Sequence, residues 1–171
     1  MARHKKIGQL TKDLNELSSA QATEKHIREA GSVLLGLARR NATSIPFKYA
    51  TGELPQSISM AVKTGTTRVT AHVGTNLAYA PYIEFGTGQK GSASHGGTSP
   101  SVRVSYRTSP WYIHKSMVDP AAAEAYGWFK NSDYQLVTGQ PAHPYLYPAL
   151  KDNEKVILAI IEKGIAGVLG K

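Results

Sequence analysis

The chain has 171 residues, which is enough for one domain with a sizeable core and too few for two comfortable ones. It contains no cysteine, which excludes disulfide frameworks, thiolate catalysis and cysteine-based zinc sites. The formal charge is +8, and the excess of Lys and Arg lies in the first two thirds, because residues 119–171 hold five of them against six Asp and Glu. A field of this sign favours a polyanion, an acidic protein surface or a plain solvated face, with sequence-specific DNA binding as one outcome.

Apolar residues recur at helical spacing through residues 1–44. Their positions are Ile7, Leu10, Leu14, Leu17, Ile27, Ala30, Val33, Leu34, Leu37 and Ala38. A polar interval at residues 18–23 divides this pattern. The spacing therefore predicts two helices, or one interrupted helix, ending near Asn41.

A loop and then a β-hairpin are predicted after this helical start. Pro46 disfavours helical angles at the residue before it, so residues 44–52 are expected to form the loop. Within residues 57–74, two segments that alternate apolar and polar residues flank a Thr–Gly–Thr–Thr turn. The residues that share one face are Ile58, Met60 and Val62. Alternation of period two on both sides of a turn predicts a β-hairpin.

Residues 86–138 are predicted to be a loop-rich insertion with one or two strands. Before it, Pro81 suits the first turn of a short helix ending at Phe85. Glycine and serine then dominate residues 86–110, with little apolar content before a strand expected near residues 102–106. Such a composition cannot bury enough apolar surface to offset the entropy of ordering. We therefore expect a mobile loop that is functional or becomes ordered when a partner binds.

The rest of the chain is predicted to contain a short helix at residues 119–126, a strand at 134–138 and a final helix at 144–169. Pro120 suits the first turn of the short helix. The final helix has an apolar stripe at Leu146, Leu150, Val156, Ile157, Ile160, Ile161, Ile165 and Val168. A stripe of this width must dock on other elements, so removing the helix should unfold the protein.

No motif in the sequence assembles a cofactor or metal site. Residues 86–91 match G-x-G-x-x-G, but the dinucleotide-binding motif needs a following helix and an acid about 20 residues on. The residues that follow are Ser–Ala–Ser–His–Gly–Gly, and residues 104–114 contain no acid. The six histidines show neither the i, i+4 pair of a helical zinc site nor an acid at ligand spacing. We predict no cofactor and no metal.

The sequence also lacks a recognisable catalytic set. It contains no G-x-S-x-G elbow, and its central third offers only Glu53 and Glu84 for paired-carboxylate chemistry. Glu53 follows Gly52 and is interpreted as a turn residue. Glu84 lies between Ile83 and Phe85, where an unpaired carboxylate is costly, so it should face water, a helix end or a basic partner, or accept backbone donors at the following glycines. We predict that the protein is not an enzyme.

Aromatic and cationic residues are interleaved in the second half of the chain. They are Tyr106, Trp111, Tyr112, Trp128 and Phe129 with Arg103, Arg107, Lys115 and Lys130. The mixture could stack the bases of a single-stranded nucleic acid. Loop anchors or a protein interface explain it better, because Trp, Tyr and Arg are the favoured anchors of such interfaces.

Three ordered blocks of sequence resemble a known family. The pattern T-G-x-L-x-x-S-I is matched by Thr51, Gly52, Leu54, Ser57 and Ile58. The pattern Y-A-x-x-x-E-F-G-T is matched by Tyr79, Ala80, Glu84, Phe85, Gly86 and Thr87. The pattern P-F-L-x-P-A-L is matched by Pro144, Leu146, Pro148, Ala149 and Leu150, with Tyr145 in place of Phe. The sequence resembles the tail-completion or neck proteins of long-tailed bacteriophages, the gene-product-ten-like tail components.

The resemblance implies an α+β fold in which a small antiparallel β-sheet is covered by N-terminal and C-terminal helices. Residues 86–138 would be a long central insertion, and residues 1–171 a single domain. The matched residues of the three blocks are the candidate motif or interface residues.

The resemblance further implies a structural virion protein without catalysis, forming a homo-oligomeric ring that completes the tail or joins it to the DNA-filled head. A tail terminator ring capping the tail tube and a basic phage nucleic-acid-binding accessory protein are the alternatives. The implied partners are further copies in a hexamer, neighbouring neck and tail tube proteins, and passing genomic DNA without sequence specificity, with no membrane. The protein would lie in the virion at the neck or tail end, after assembly in the bacterial cytoplasm.

Overall fold

The computed structural model describes residues 2–46, 51–65 and 68–168. Its helices are α1 (Ala2–Thr43), α2 (Glu53–Ser57), α3 (Ala80–Phe85), α4 (Gly88–Ala93), α5 (Pro120–Tyr126), α6 (Leu146–Lys151) and α7 (Glu154–Val168). Its strands are β1 (Ser59–Thr64), β2 (Val69–Gly74), β3 (Trp111–His114) and β4 (Tyr134–Val137). Within these residues the strands form two antiparallel pairs, and helices lie at both ends of the chain. The predicted α+β class is confirmed.

The first helix is continuous, so the interruption expected at residues 18–23 is absent. That interval contains Ala20, Gln21 and Ala22, which favour helix, and the first proline is Pro46. The amide of Ser44 bonds the carbonyl of Arg40 at 3.1 Å and ends the helix. The burial of the first apolar set, Ile7, Leu10, Leu14 and Leu17, lies outside the described side chains, as do residues 47–50 of the predicted loop.

The chain divides into two compact units, each built from separated segments. The first comprises Met1–Gly36, Ser59–Gly74 and Asn153–Lys171, and the second comprises Leu37–Ile58 and Thr75–Asp152. The single domain expected for residues 1–171 stays a prediction.

In the first unit, α1 packs on the β1–β2 hairpin and on α7. The hairpin register runs from Ser59 opposite Gly74 to Thr64 opposite Val69. A Cβ at Gly31 of α1 would lie 2.6 Å from the sulfur of Met60, so glycine permits close approach of helix and sheet. Helix α1 therefore contacts the hairpin face that carries Met60 and Ala71, and α7 contacts α1 where Gly164 lies against His26.

The glycine-rich segment after α3 is more regular than its composition predicts. It contains α4 and a 3₁₀ turn at His95–Gly97, so the expectation of a loop throughout residues 86–110 is wrong for this part of the segment. Tertiary contacts hold α4, because the amide of Lys90 donates to Thr138 and a Cβ at Gly91 would lie 2.7 Å from the Gly86 carbonyl carbon. The fold of this segment therefore depends on residues near position 138.

The insertion contains a second hairpin, formed by β3 and β4. Trp111 lies opposite Val137, and His114 lies opposite Tyr134. The strand expected near residues 102–106 is wrong, since the structure assigns no strand there and β3 begins at Trp111. The short helix predicted at residues 119–126 is present as α5, with the Asp119 carboxylate accepting the amide of Ala122 at 3.0 Å.

The single final helix predicted at residues 144–169 is wrong, because α6 and α7 are separate. The amide of Asp152 bonds the carbonyl of Pro148 at 3.0 Å, and the carbonyl of Asn153 then accepts the amide of Ile157 at 3.0 Å. Asparagine is a favoured residue at a helix start, and Asn153 begins the second helix in this way. Residue 169, the predicted end, lies outside the described residues.

Candidate functional site

The short helix α3 turns an acidic residue into the interior of the second unit. Ala80 and Ile83 are buried, and the Glu84 residue is only 5% exposed. Pro81 lies in the first turn of the helix, where its missing N–H costs nothing. The helix ends at Gly86, whose φ of 71° and ψ of −177° form a combination essentially restricted to glycine.

The Glu84 carboxylate binds the start of α6. Its Oε2 accepts the amides of Tyr145 at 2.7 Å and Leu146 at 3.0 Å, and its Oε1 accepts the amide of Tyr147 at 3.0 Å. The first amides of a helix have no partner within the helix. Pro148 has no N–H, so the carboxylate takes every backbone donor from residue 145 to residue 148. Its negative charge also lies at the favourable end of the helix dipole.

Tyr145 completes this buried connection. The residue is only 1% exposed, and its carbonyl accepts the Nδ2 of Asn41 from α1 at 3.2 Å. Burial raises the pKa of the Tyr145 phenol to about 12, with further contributions from the charges of Glu84 and Tyr79. The third sequence block is therefore held by both the second block and the end of α1.

The last carbonyls of α3 are bound by residues that follow the insertion. The amide of His143 donates to the carbonyl of Ile83 at 2.8 Å, and the Nε2 of Gln140 donates to the carbonyl of Tyr82 at 2.7 Å.

Thr87 and Gln140 form two hydrogen bonds with each other. The Thr87 amide donates to the Gln140 carbonyl at 2.9 Å, and the Gln140 amide donates to the Thr87 hydroxyl at 3.0 Å. The two ends of the insertion therefore meet at Thr87 and Gln140.

The Tyr106 side chain, within the insertion, also binds the end of α3. The hydroxyl of Tyr106 donates to the Phe85 carbonyl at 2.8 Å and lies 2.6 Å from Nδ1 of His95. Because the hydroxyl has one proton, His95 is the donor in the second bond. Burial raises the pKa of the Tyr106 phenol.

Gly86 packs too closely for any side chain. A Cβ there would lie 2.6 Å from the Ala142 nitrogen, 2.7 Å from the Gly91 Cα and 2.8 Å from the Gln140 oxygen. All three neighbours are backbone atoms, so none can move aside cheaply. Close packing and the positive φ both require glycine at this position.

The first sequence block is bonded to the second. The Tyr79 hydroxyl donates to the Glu53 carboxylate at 3.0 Å, and the Ser57 and Thr75 hydroxyls lie 2.7 Å apart. Burial, followed by the bond to Glu53, raises the pKa of Tyr79 to about 12. At the end of the block, the Ile58 carbonyl accepts two bonds from the Arg39 guanidinium, at 2.7 and 3.1 Å.

The three blocks are thus brought together within the second unit. We call residues 79–87 and 144–150, which carry the second and third blocks, the Glu84 corner. The buried motif residues are Leu54, Ile58, Ala80, Glu84, Gly86, Tyr145 and Ala149. The exposed ones are Thr51, Tyr79 and Leu150. The expectation that Glu84 faces a helix end is confirmed. Its backbone donors belong to residues 145–147 and not to the glycines after Phe85.

Tyr106 is among the aromatic residues that the sequence marks as loop anchors or interface residues, and it anchors the insertion to Phe85. Sequence reasoning missed three other polar residues that support the corner, namely Asn41, Gln140 and Ser94, whose hydroxyl accepts the amide of Ala142 at 2.7 Å. The signal that could have found Gln140 is the glycine before it, since Gly139 has a φ of 96° and lies against the carbonyl of Thr87. The others carry no local signal, because their partners are distant in sequence.

Both oxygens of the buried Glu84 carboxylate accept backbone amides. Among the described residues, no group of three or more His, Asp or Glu side chains is placed to hold a metal ion. Across the described ranges, no helix is both long enough and apolar enough to cross a membrane.

Comparison with known proteins gives one match. A family model described as "Bacteriophage HK97-gp10, putative tail-component" matches residues 5–86. The matched segment contains the first block and nearly all of the second, and it ends at the glycine where α3 stops. No curated protein and no solved structure matches the chain. Residues 5–86, just under half of the chain, are therefore similar to the HK97-gp10-like family of bacteriophage tail components, which supports the resemblance that the three sequence blocks indicate.

Proposed function

We propose that this tail component forms a closed ring at the head–tail interface and either completes the tail or joins it to the DNA-filled head. The ring contains six copies, because the tail tubes of the phages it resembles are sixfold and a coaxial body shares their symmetry. It contacts neck and tail tube proteins, encloses passing genomic DNA without reading its sequence, and catalyses no reaction.

The proposal is supported chiefly by the contrast between the Glu84 corner and the surface of the same unit. The family residues of the corner pack the interior, where the Glu84 carboxylate accepts three backbone amides. Large apolar side chains remain in water, including Tyr82, Tyr112 and Met117, which is 74% exposed. A rigid body with exposed aromatic and thioether groups suits assembly by surface contact.

Electron microscopy of intact particles tests the ring. Symmetry-free reconstruction of the neck and tail end, with this chain labelled at a surface position such as Ser109, should show six labels around the axis. The same label on the major tail protein controls for labelling efficiency. Particles in which the chain is present without rotational symmetry, or absent from the neck and tail end, would contradict the proposal.

A basic accessory protein that binds nucleic acid is the second candidate. It is favoured by the +8 charge and by exposed cations within the insertion, among them Lys90, Arg103 and Lys130. Binding of that kind weakens steeply with salt, because each phosphate contact releases counterions. Tight binding of duplex DNA by the free protein at physiological salt, with no ring in particles, would favour this candidate.

A further inference from the structure

The β3–β4 hairpin leaves one face uncovered. By the strand register, Tyr112 lies opposite Leu136 and His114 lies opposite Tyr134, and these four residues share one face, which we call the tyrosine face. Tyr112 is 69% exposed, Tyr134 is 57% exposed and Leu136 is 48% exposed. A two-stranded sheet is marginal in water and usually gains stability from a third strand or a packed helix. The tyrosine face is therefore suited to receive a helix.

Helix α7 carries a second exposed surface of a different composition. Four exposed residues lie at i, i+4, i+8 and i+11 and thus form one row along the helix, which we call the acidic row. They are Glu154, Leu158, Glu162 and Ile165. The buried residues Ile157 and Gly164 lie on another side of the helix, where Gly164 packs against His26. The acidic row is thus left open by the packing of the first unit.

The two surfaces match in size. Four residues of strand extend about 13 Å, and Leu158 and Ile165 lie about 10 Å apart along their helix. A helix about 10 Å wide also covers a ribbon of two strands.

The two surfaces also match in charge. Lys115 directly follows β3, its amine is exposed, and it bonds Asp133 at 2.7 Å. An ammonium group has three donors, so Lys115 can donate to a second carboxylate, such as that of Glu162, in addition to Asp133. The acidic row offers the exposed Glu162 carboxylate to this exposed amine.

We propose that the acidic row of one copy packs on the tyrosine face of the next copy. The inference rests on the proposed ring and specifies the contact between adjacent subunits. One chain supplies both surfaces, so the contact is heterologous and repeats from copy to copy until the ring closes. Leu158 and Ile165 cover the two tyrosines and Leu136, and Glu162 bonds Lys115.

Cysteine cross-linking tests this contact directly, because the natural chain has no cysteine. Two variants, Tyr134→Cys and Leu158→Cys, are produced together with wild-type chains that keep particle formation intact, and purified particles are then oxidised. The pair should yield a product of twice the chain mass that reduction removes. A matched control pairs Tyr134→Cys with Lys163→Cys, which lies on another side of α7, and should yield none.

Each other outcome has a defined meaning. A dimer from Tyr134→Cys alone would place two tyrosine faces together and overturn the inference. A sixfold ring without the mixed product would overturn it while leaving the proposed function intact, whereas absence of any ring would reject the proposed function itself.

Charge reversal provides a second measurement if a cysteine variant is excluded from particles. Glu162→Lys, in competition with wild-type chains, should enter particles about tenfold less well, because it places a cation against Lys115. Lys163→Glu reverses the neighbouring charge away from the acidic row and should compete equally. Equal incorporation of both variants would overturn the inference.

Discussion

The carboxylate of Glu84 accepts the backbone amide of Tyr145 at 2.7 Å, across 61 residues of sequence. It also takes the next two amides, so one buried side chain fixes where α6 begins relative to α3. The insertion leaves and returns beside this contact, at Thr87 and Gln140. The stability of the corner and the role of the insertion can therefore be changed by separate substitutions.

Replacing Glu84 should strongly destabilise the protein. Glu84→Ala leaves three buried amides without an acceptor, at about 1–3 kcal/mol each, so we expect a loss of about 3–5 kcal/mol after relaxation. Urea unfolding followed by circular dichroism measures the change. The control is Glu53→Ala, which loses an exposed bond to Tyr79 and should cost less than about 1 kcal/mol. Equal stability of the two variants would contradict the assigned role of Glu84.

A side chain at Gly86 should be more harmful than neutralising the acid. Gly86→Val combines a disfavoured positive φ with contact against the Ala142 backbone, and should cost about 3 kcal/mol or more. Glu84→Gln keeps one acceptor oxygen and should cost less. Gly96→Val is the matched control, because a Cβ there meets no atom within 4 Å. Thermal unfolding of the three variants gives the order of their stabilities. A Gly86→Val protein as stable as Gly96→Val would refute the requirement for glycine at position 86.

Amide hydrogen exchange should be slow in one part of the glycine-rich segment and fast in the other. The amides of Gly91 and Ser94 are bonded within α4, so they should exchange slowly in the free protein. Residues 103–108 have no regular structure, so their backbone amides should exchange fast although the Tyr106 side chain is bonded to Phe85. This expectation narrows the mobile loop predicted for residues 86–110. In particles, residues 103–108 should become protected if neighbouring subunits order them. Strong protection of residues 103–108 in the free monomer would disprove the expected mobility.

Stability should fall in alkali because of Tyr145. The pKa of its phenol is about 12 in the folded chain and about 10 in an unfolded one. As the pH rises, the phenol therefore loses its proton first in the unfolded state. The contribution of the protonated Tyr145 to folding stability is complete below pH 10 and is lost as the pH rises towards 12. It amounts to roughly 2 kcal/mol. Urea unfolding at pH 8 to 11.5 measures the loss, and phenolate absorbance follows the titration. Tyr145→Phe should show a shallower decline, and an unchanged slope would assign the effect to other groups.

Deleting the protein should leave heads and tails that do not join. Nothing in the sequence matches the G-x-x-x-x-G-K-[ST] loop of a packaging motor, so heads should still fill with DNA. Added wild-type protein should restore infectious particles in proportion to its amount, at several copies for each particle. Plaque counts against added protein measure this ratio. Rescue by trace amounts would indicate catalysis instead.

Local signals predicted the elements that depend on few residues. The alternation around residue 60 and the proline at position 120 correspond to a hairpin and a helix start in the structure, because periodicity and fixed φ act within one turn or strand. Gly86 has a positive φ, which likewise follows from a local backbone preference that glycine alone meets at little cost. The polar interval at residues 18–23 predicted a break in the first helix that is absent, since helix-forming residues within it keep α1 continuous.

The sequence by itself determined the fold class, the glycine at the corner and the family blocks, since backbone preference and residue spacing are local properties. Only the tertiary structure decided that Glu84 binds α6, that α4 forms beside Thr138, and that the tyrosine face lies open to solvent. The physical reason is distance along the chain. A buried carboxylate requires hydrogen-bond donors, and this follows from the residue type alone. Which amides donate depends on the segments that folding brings next to it, here from about 60 residues away.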